Sequence, residues 1–259
     1  MPVALLHTPR MQIGLIGAGN MASALARGWG EPVLVFDALR PRAEALVAEL
    51  GGEVLDSNAE LARRADAVLL CHKPEGLARV AAEVGREAQG VISILGGVTL
   101  ADLRSAYDDT PVVRMLPSMP VEVRRGVTCH ARDPEADPVL EAQALELFGR
   151  VGPVVSVDEE QIDAAMGLMS CAPAYVALVA EAQIDAGVRA GLPADVAGRL
   201  VVATIGGTSA LLEAHDNDTL KVRRSVTSPG GSTARGLAAL EHGGLRGAFD
   251  DAMQAVLAR

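Results

Sequence analysis

The sequence predicts an α/β protein in two parts, a doubly wound parallel sheet followed by an all-helical domain, and three observations predict it. Short apolar runs alternate with helix-like stretches through the first half. The first of those runs ends in a glycine-rich turn. Strand-like β-branched runs nearly vanish after about Asp158.

Taken in order, Gln12–Gly17 is a short apolar run ending in glycine, Ala22–Trp29 reads as a helix, and Pro32–Asp37 reads as a second strand. Arg42–Leu50 is helical, with Pro41 suited to a first turn and Gly51-Gly52 as the stop. Ala67–Cys71 and Gly90–Leu95 are continuous apolar runs of strand length. Buried parallel strands look like this, because helices cover both faces of the sheet. Alternation of this kind defines a doubly wound domain.

From the boundary at Val155–Asp158 the texture becomes rich in alanine and leucine, as in Ala174–Arg189 and Pro193–Ala214, with helix starts at Pro173 and Pro193. Tyr175–Ala180 is apolar all round, so it must be buried. A domain of roughly one hundred residues buries such a helix most easily against another subunit, which predicts a homo-oligomer. Met1–Arg10 lacks the charged start and apolar core of a secretory signal and reads as an extension, with Met11 opening the folded protein.

Composition excludes other classes. Lys plus Arg total 23 and Asp plus Glu total 33, a net charge of −10, and only six residues are aromatic (one Trp, two Tyr, three Phe). A nucleic-acid partner is not expected, since both the basic footprint and the stacking platform are missing. No uninterrupted apolar run reaches the roughly 18 residues of a membrane span, so no membrane partner is expected. Cys71, Cys129 and Cys171 are scattered, without metal-ligand spacing, which points to free thiols, a cytoplasmic location and no metal.

Gly17-Ala18-Gly19-Asn20-Met21-Ala22 matches the dinucleotide fingerprint G-x-G-x-x-G/A. Gly17 allows the tight turn out of the strand, Gly19 lets backbone approach a pyrophosphate, and Ala22 lets the helix sit close to the strand. The helix start supplies amide donors to the anion. The pattern follows a strand, opens a helix, and has Asp37 twenty residues after Gly17 at the end of the second strand. Residues 11–157 therefore read as a Rossmann-type domain that binds NADPH or NADH. Asp37 would accept from the ribose hydroxyls and repel a 2′-phosphate, which tilts the reading slightly to NADH. Arg40 and Arg42 could instead hold that phosphate.

Five segments in order then resemble the pyrroline-5-carboxylate reductase family. They are Gly17–Met21, His72-Lys73-Pro74-Glu75, Val113–Pro120, Ala172-Pro173-Ala174-Tyr175, and Ser225-Val226-Thr227-Ser228-Pro229-Gly230-Gly231-Ser232-Thr233. The last is the most specific. The resemblance implies a Rossmann domain, a helical dimerisation and substrate domain at residues 158–259, and a homodimer or ring of dimers. It implies reduction of the cyclic imine 1-pyrroline-5-carboxylate to L-proline by NAD(P)H. It also implies that the Ser228–Ser232 loop, with Gly230 and Gly231, holds the substrate carboxylate, that Thr233 hydrogen-bonds the ring nitrogen, and that Lys73-Pro74 packs beside the nicotinamide and its ribose. The residues carry a physical reason as well. A glycine-opened helix start with nearby hydroxyls is a carboxylate site, although an ordinary Ser/Thr helix cap would look the same.

Two segments depart from the family pattern. Pro117-Ser118-Met119-Pro120 stands where members commonly have Pro-Asn-Thr-Pro, and Met169–Tyr175 where they commonly have Ser-Gly-Ser-Gly-Pro-Ala-Tyr. Imine reduction needs neither a nucleophile nor a metal, so Cys171 reads as a packed thiol and His7, His72, His130, His215 and His242 carry no assigned role. A related cyclic imino acid as substrate stays open, as does a non-catalytic nucleotide-binding paralogue. A β-hydroxyacid dehydrogenase would need a helical lysine base, and Lys221 lies outside a matching motif. A deazaflavin-linked NADP oxidoreductase would share the first domain and lack the Ser-Pro-Gly-Gly loop.

Overall fold

The computed structural model describes residues 11–258, so the leading extension Met1–Arg10 lies outside the described residues. The chain divides into two compact units between Cys171 and Ala172.

The first unit is built on one eight-stranded sheet. Strands β1 (Ile13–Ile16), β2 (Val33–Phe36), β3 (Gly52–Val54), β4 (Ala67–Leu70), β5 (Val91–Ser93), β6 (Val112–Pro117), β7 (Thr128–Ala131) and β8 (Val154–Val157) lie in the order β3-β2-β1-β4-β5-β6-β7-β8. The six strands from β3 to β6 are parallel, with Gly14 opposite Leu34 and Val68. β7 turns antiparallel to β6, and β8 runs parallel to β7. Helices α1 (Asn20–Trp29), α2 (Arg40–Leu50) and α6 (Pro138–Gly149) contribute Leu25, Leu46 and Phe148 to a core on one face. Helices α3 (Asn58–Arg64), α4 (Leu77–Val84), α5 (Leu100–Tyr107) and α7 (Ile162–Met169) contribute Leu61, Val80, Leu103 and Ile162 to the core on the other. Helices on both faces explain why the central strands are apolar without alternation.

Close packing fixes where the helices lie. A Cβ on Gly14 would stand 2.8 Å from Leu61 Cγ, so β1 and α3 meet at a residue without a side chain. Gly28 does the same for α1 and the 3-10 turn Met119–Val123, where a Cβ would stand 2.2 Å from the Val121 carbonyl oxygen. Trp29 Nε1 donates to the Leu147 carbonyl at 3.1 Å and meets Phe148 edge-on, which ties α1 to α6.

Two elements differ from their sequence reading. Met115–Pro120 reads as a proline-stiffened connector, yet Val112–Pro117 is a fully buried strand. The reason is Arg114, which interrupts the apolar run but is buried with Nη1 donating to Glu159 Oε1 at 2.8 Å. β3 is the other, a three-residue strand hidden in what reads as a helix stop.

The second unit is helical throughout its described residues: α8 (Ala172–Arg189), α9 (Ala194–Glu213), α10 (Thr219–Ser225), α11 (Ser232–His242) and α12 (Leu245–Leu257). α8 and α9 form an antiparallel pair joined by Gly191, whose φ of +100° suits glycine. α8 buries none of its residues within the single chain, and Val176, Leu178, Leu200 and Val202 are exposed. The stretches Glu159–Arg189 and Ala194–Glu213 are long and apolar enough to cross a membrane by length and composition alone. Faces this apolar require cover.

Candidate active site

β1 delivers the chain into Gly17, whose φ of +108° and position leave no room for a side chain, since a Cβ would lie 3.0 Å from the Cys71 carbonyl oxygen. Gly17 N donates to the Phe36 carbonyl at 2.7 Å, so the turn is fastened to β2. Gly19 caps α1 in extended conformation with φ of −74°, and a Cβ there would meet nothing within 4 Å. The turn is therefore open on the side where α1 begins. No side chain caps α1 and no acid occupies its first turn, so its leading amides face outward as anion donors. Ala22 is buried and lets the helix lie close to the sheet.

A cavity of about 1110 Å³ lies over this turn. Gly17, Gly19, Asn20, Met21, Asp37, Lys73 and Pro74 all line it. They come from the ends of β1, β2 and β4, the switch point where an open α/β sheet receives ligands. Met119, one of the departures from the family pattern, lines it too, as do Ile94, Leu95 and Gly96 after β5.

Asp37 accepts the Ala18 amide at Oδ2 and the Leu39 amide at Oδ1, each at 2.7 Å, so its carboxylate fastens both loops. Arg40 is drawn away into ion pairs with Asp56 at 2.7 Å and Glu44 at 3.0 Å. Arg42 lines the cavity.

Two further residues line the cavity: Asn58, which the sequence reading does not name, and His72, which it names beside Lys73 without a role. Asn58 opens α3 and is buried; its Nδ2 donates to Glu83 Oε2 at 2.5 Å, and its Oδ1 has no partner. His72 Nδ1 stands 2.7 Å from the Lys73 carbonyl, which can only accept, so Nδ1 carries the proton. Burial holds the His72 pKa below its ordinary value, so the ring is neutral and its Nε2 is a second unpartnered acceptor. Neither residue belongs to a glycine pattern, and only the fold brings α3 to the end of β4. A glycine cradle, uncapped helix amides and orphaned acceptors together fit a dinucleotide.

Residues 228–233 lie in the second unit. Gly230 has φ of +67°, and Gly231 is the extended cap of α11, which no side chain caps. The ordinary Ser/Thr cap is thus not what these residues form. A Cβ on Gly231 would stand 2.3 Å from Ser228 Oγ, so glycine is needed for the hydroxyl to sit there. Arg235 reaches back, with Nη1 donating to the Gly230 carbonyl at 2.7 Å and Nη2 to Ser232 Oγ at 3.3 Å. Ser228, Ser232 and Thr233 are exposed around the open first turn of α11.

Fold and cavity define the class: a nicotinamide-dinucleotide oxidoreductase with a helical second unit. Residues 159–259 match the family model described as pyrroline-5-carboxylate reductase dimerisation. Residues 12–97 match the model described as NADP oxidoreductase, coenzyme F420-dependent, which reaches no further than the first unit. The pyrroline-5-carboxylate reductase of Synechocystis sp. is 37% identical over 96% of this chain and 97% of its own. That of Thermus thermophilus is 34% identical over 96% and 97%. Among solved structures, a pyrroline-5-carboxylate reductase from Coxiella burnetii superposes with a TM-score of 0.85 at 28% identity, covering 95% of this chain and 96% of that one. The Plasmodium falciparum pyrroline carboxylate reductase with NADP bound gives 0.83 at 26% identity, covering 95% of each chain. The chain belongs to the pyrroline-5-carboxylate reductase family. Residues 159–259 carry the match to the family's dimerisation domain, which supports homo-oligomerisation, and α8 buries none of its residues within the single chain.

Proposed function

We propose that this chain reduces 1-pyrroline-5-carboxylate to L-proline with NAD(P)H, the last step of proline biosynthesis. The observation that carries the reading is the match to reductases of this name along nearly the whole chain, through both the cavity and the Ser228–Thr233 loop.

The dinucleotide, when bound, supplies a hydride. The protein's part is to hold and orient. The α1 amides and the Gly17–Met21 turn receive the pyrophosphate, Asp37 keeps that turn in place, and Lys73-Pro74 flanks the nicotinamide end. The open first turn of α11 and the hydroxyls of Ser228 and Ser232 receive the substrate carboxylate. Thr233, one residue further, hydrogen-bonds the ring nitrogen and so fixes which face of the imine is presented. The imine carbon gains hydride, the π pair of the C=N bond moves onto nitrogen, and nitrogen keeps the proton of the protonated imine. Alignment of donor and acceptor carbons at about 3–3.5 Å is the main demand on the site.

The protein acts in the cytoplasm as a homodimer or ring of dimers, built on its helical unit. Sedimentation at micromolar concentration reads that size, and a clean monomer contradicts it. The activity is tested by incubating purified protein with 1-pyrroline-5-carboxylate and NADPH or NADH. Loss of absorbance by the cofactor with matching appearance of proline supports the assignment; no proline with either cofactor overturns it.

A further inference from the structure

We propose that Arg42 is the residue through which this chain recognises a 2′-phosphate on the adenosine ribose, while Asp37 serves to hold the glycine loop. An acidic residue at the end of β2 would ordinarily accept the ribose hydroxyls and repel that phosphate. Here both Asp37 oxygens are engaged by backbone, Oδ2 by Ala18 N and Oδ1 by Leu39 N at 2.7 Å each. Those two amide dipoles point at the carboxylate and offset its charge, and they keep the side chain along its own loops.

Of the two arginines that follow, Arg40 is spent. Its guanidinium donates to Asp56 at 2.7 Å and to Glu44 at 3.0 Å, and it is not part of the cavity wall. Arg42 lies two residues on, in the first turn of α2, and lines the cavity beside Asp37, Ala38 and Leu39. It has no ion pair among the described residues. A cation in the first turn of a helix that carries no acid there stands against the helix dipole, and an incoming anion relieves that opposition. The planar fork of a guanidinium matches a phosphate in two hydrogen bonds. Arg42 is exposed, so it can reach the ribose without repacking α2.

This inference rests on the dinucleotide reading of the cavity, and calorimetric titration with 5′-AMP and 2′,5′-ADP separates the two. 5′-AMP requires only the adenosine site; 2′,5′-ADP adds the phosphate in question. The native protein should bind 2′,5′-ADP at least about tenfold more tightly than 5′-AMP, the worth of a charge-assisted pair. Arg42→Ala should remove that difference and leave 5′-AMP affinity and melting temperature unchanged. Arg40→Ala should keep the difference. Equal binding of the two nucleotides by native protein, tighter binding of 5′-AMP, or a difference that survives Arg42→Ala overturns the role of Arg42. Binding of neither nucleotide overturns the cavity reading and the role of Arg42 together.

Discussion

Asp37 Oδ2 accepts the Ala18 amide at 2.7 Å, so the end of β2 holds the turn that leaves β1. From sequence alone the acidic residue reads as a cofactor selector, and replacing it with serine should lower the preference for NADH. The geometry predicts something else. Asp37→Ser should loosen the turn and raise the Kd of NADH and NADPH alike, by about fivefold to tenfold, the worth of a lost charge-assisted bond. Fluorescence titration with both cofactors checks this; a change confined to one of them returns Asp37 to the selector's role.

Gly19 sits on the open side of that turn, where a Cβ meets nothing within 4 Å and φ is −74°. A side chain there should cost the fold little and fill the space a pyrophosphate needs. Gly19→Val should therefore keep the native melting temperature and abolish dinucleotide binding. Retained affinity would remove the Gly17–Ala22 turn from the site.

How much of this was legible in the sequence depended on how local each signal was. β1, β2, β4 and β5 were legible because a strand covered on both faces is written as an unbroken apolar run. The glycine turn was legible because its demands fall on six adjacent residues. β6 was hidden by Arg114, a buried cation whose partner Glu159 lies 45 residues away, so nothing nearby shows that its charge is met. Asn58 was hidden for the same reason: it meets the cavity only once α3 and the end of β4 are packed together. The open first turn of α11 could not be told from a capped one, because its serines and threonine suit either state.

Thr233 is exposed on that first turn and caps no helix. Thr233→Val keeps the β-branched shape and removes only the hydroxyl. Dinucleotide affinity and melting temperature should stay at native values, while kcat/KM for the imine falls by at least about tenfold, equivalent to about 1.4 kcal/mol. A native rate in this variant would place ring-nitrogen recognition elsewhere.

His130 on β7 is buried, with Nδ1 at 3.0 Å from Ser156 Oγ and Nε2 at 3.2 Å from Glu141 Oε1. Burial holds its pKa below the ordinary value, with Glu141 opposing only in part. In the unfolded chain the ring takes a proton near pH 6.5, so the unfolded state binds more protons as pH falls through that value. Its contribution is fully present above about pH 6.5 and is lost as pH falls toward the depressed folded pKa. Urea unfolding at about pH 7.5 and about pH 5.5 should show a drop in stability that shrinks in His130→Gln. An equal drop in both proteins would assign the pH dependence to other groups.

In the proposed reaction, hydride passes directly from the dinucleotide in the Gly17–Met21 cavity to the carbon of a cyclic imine carboxylate. NADPH carrying deuterium at the transferable position of its nicotinamide, incubated with this protein and 1-pyrroline-5-carboxylate, tests it most directly by mass spectrometry and NMR of the product. The product should be L-proline with one deuterium, on one face of the former imine carbon. Proline without deuterium there, or label scattered over both faces, would contradict it.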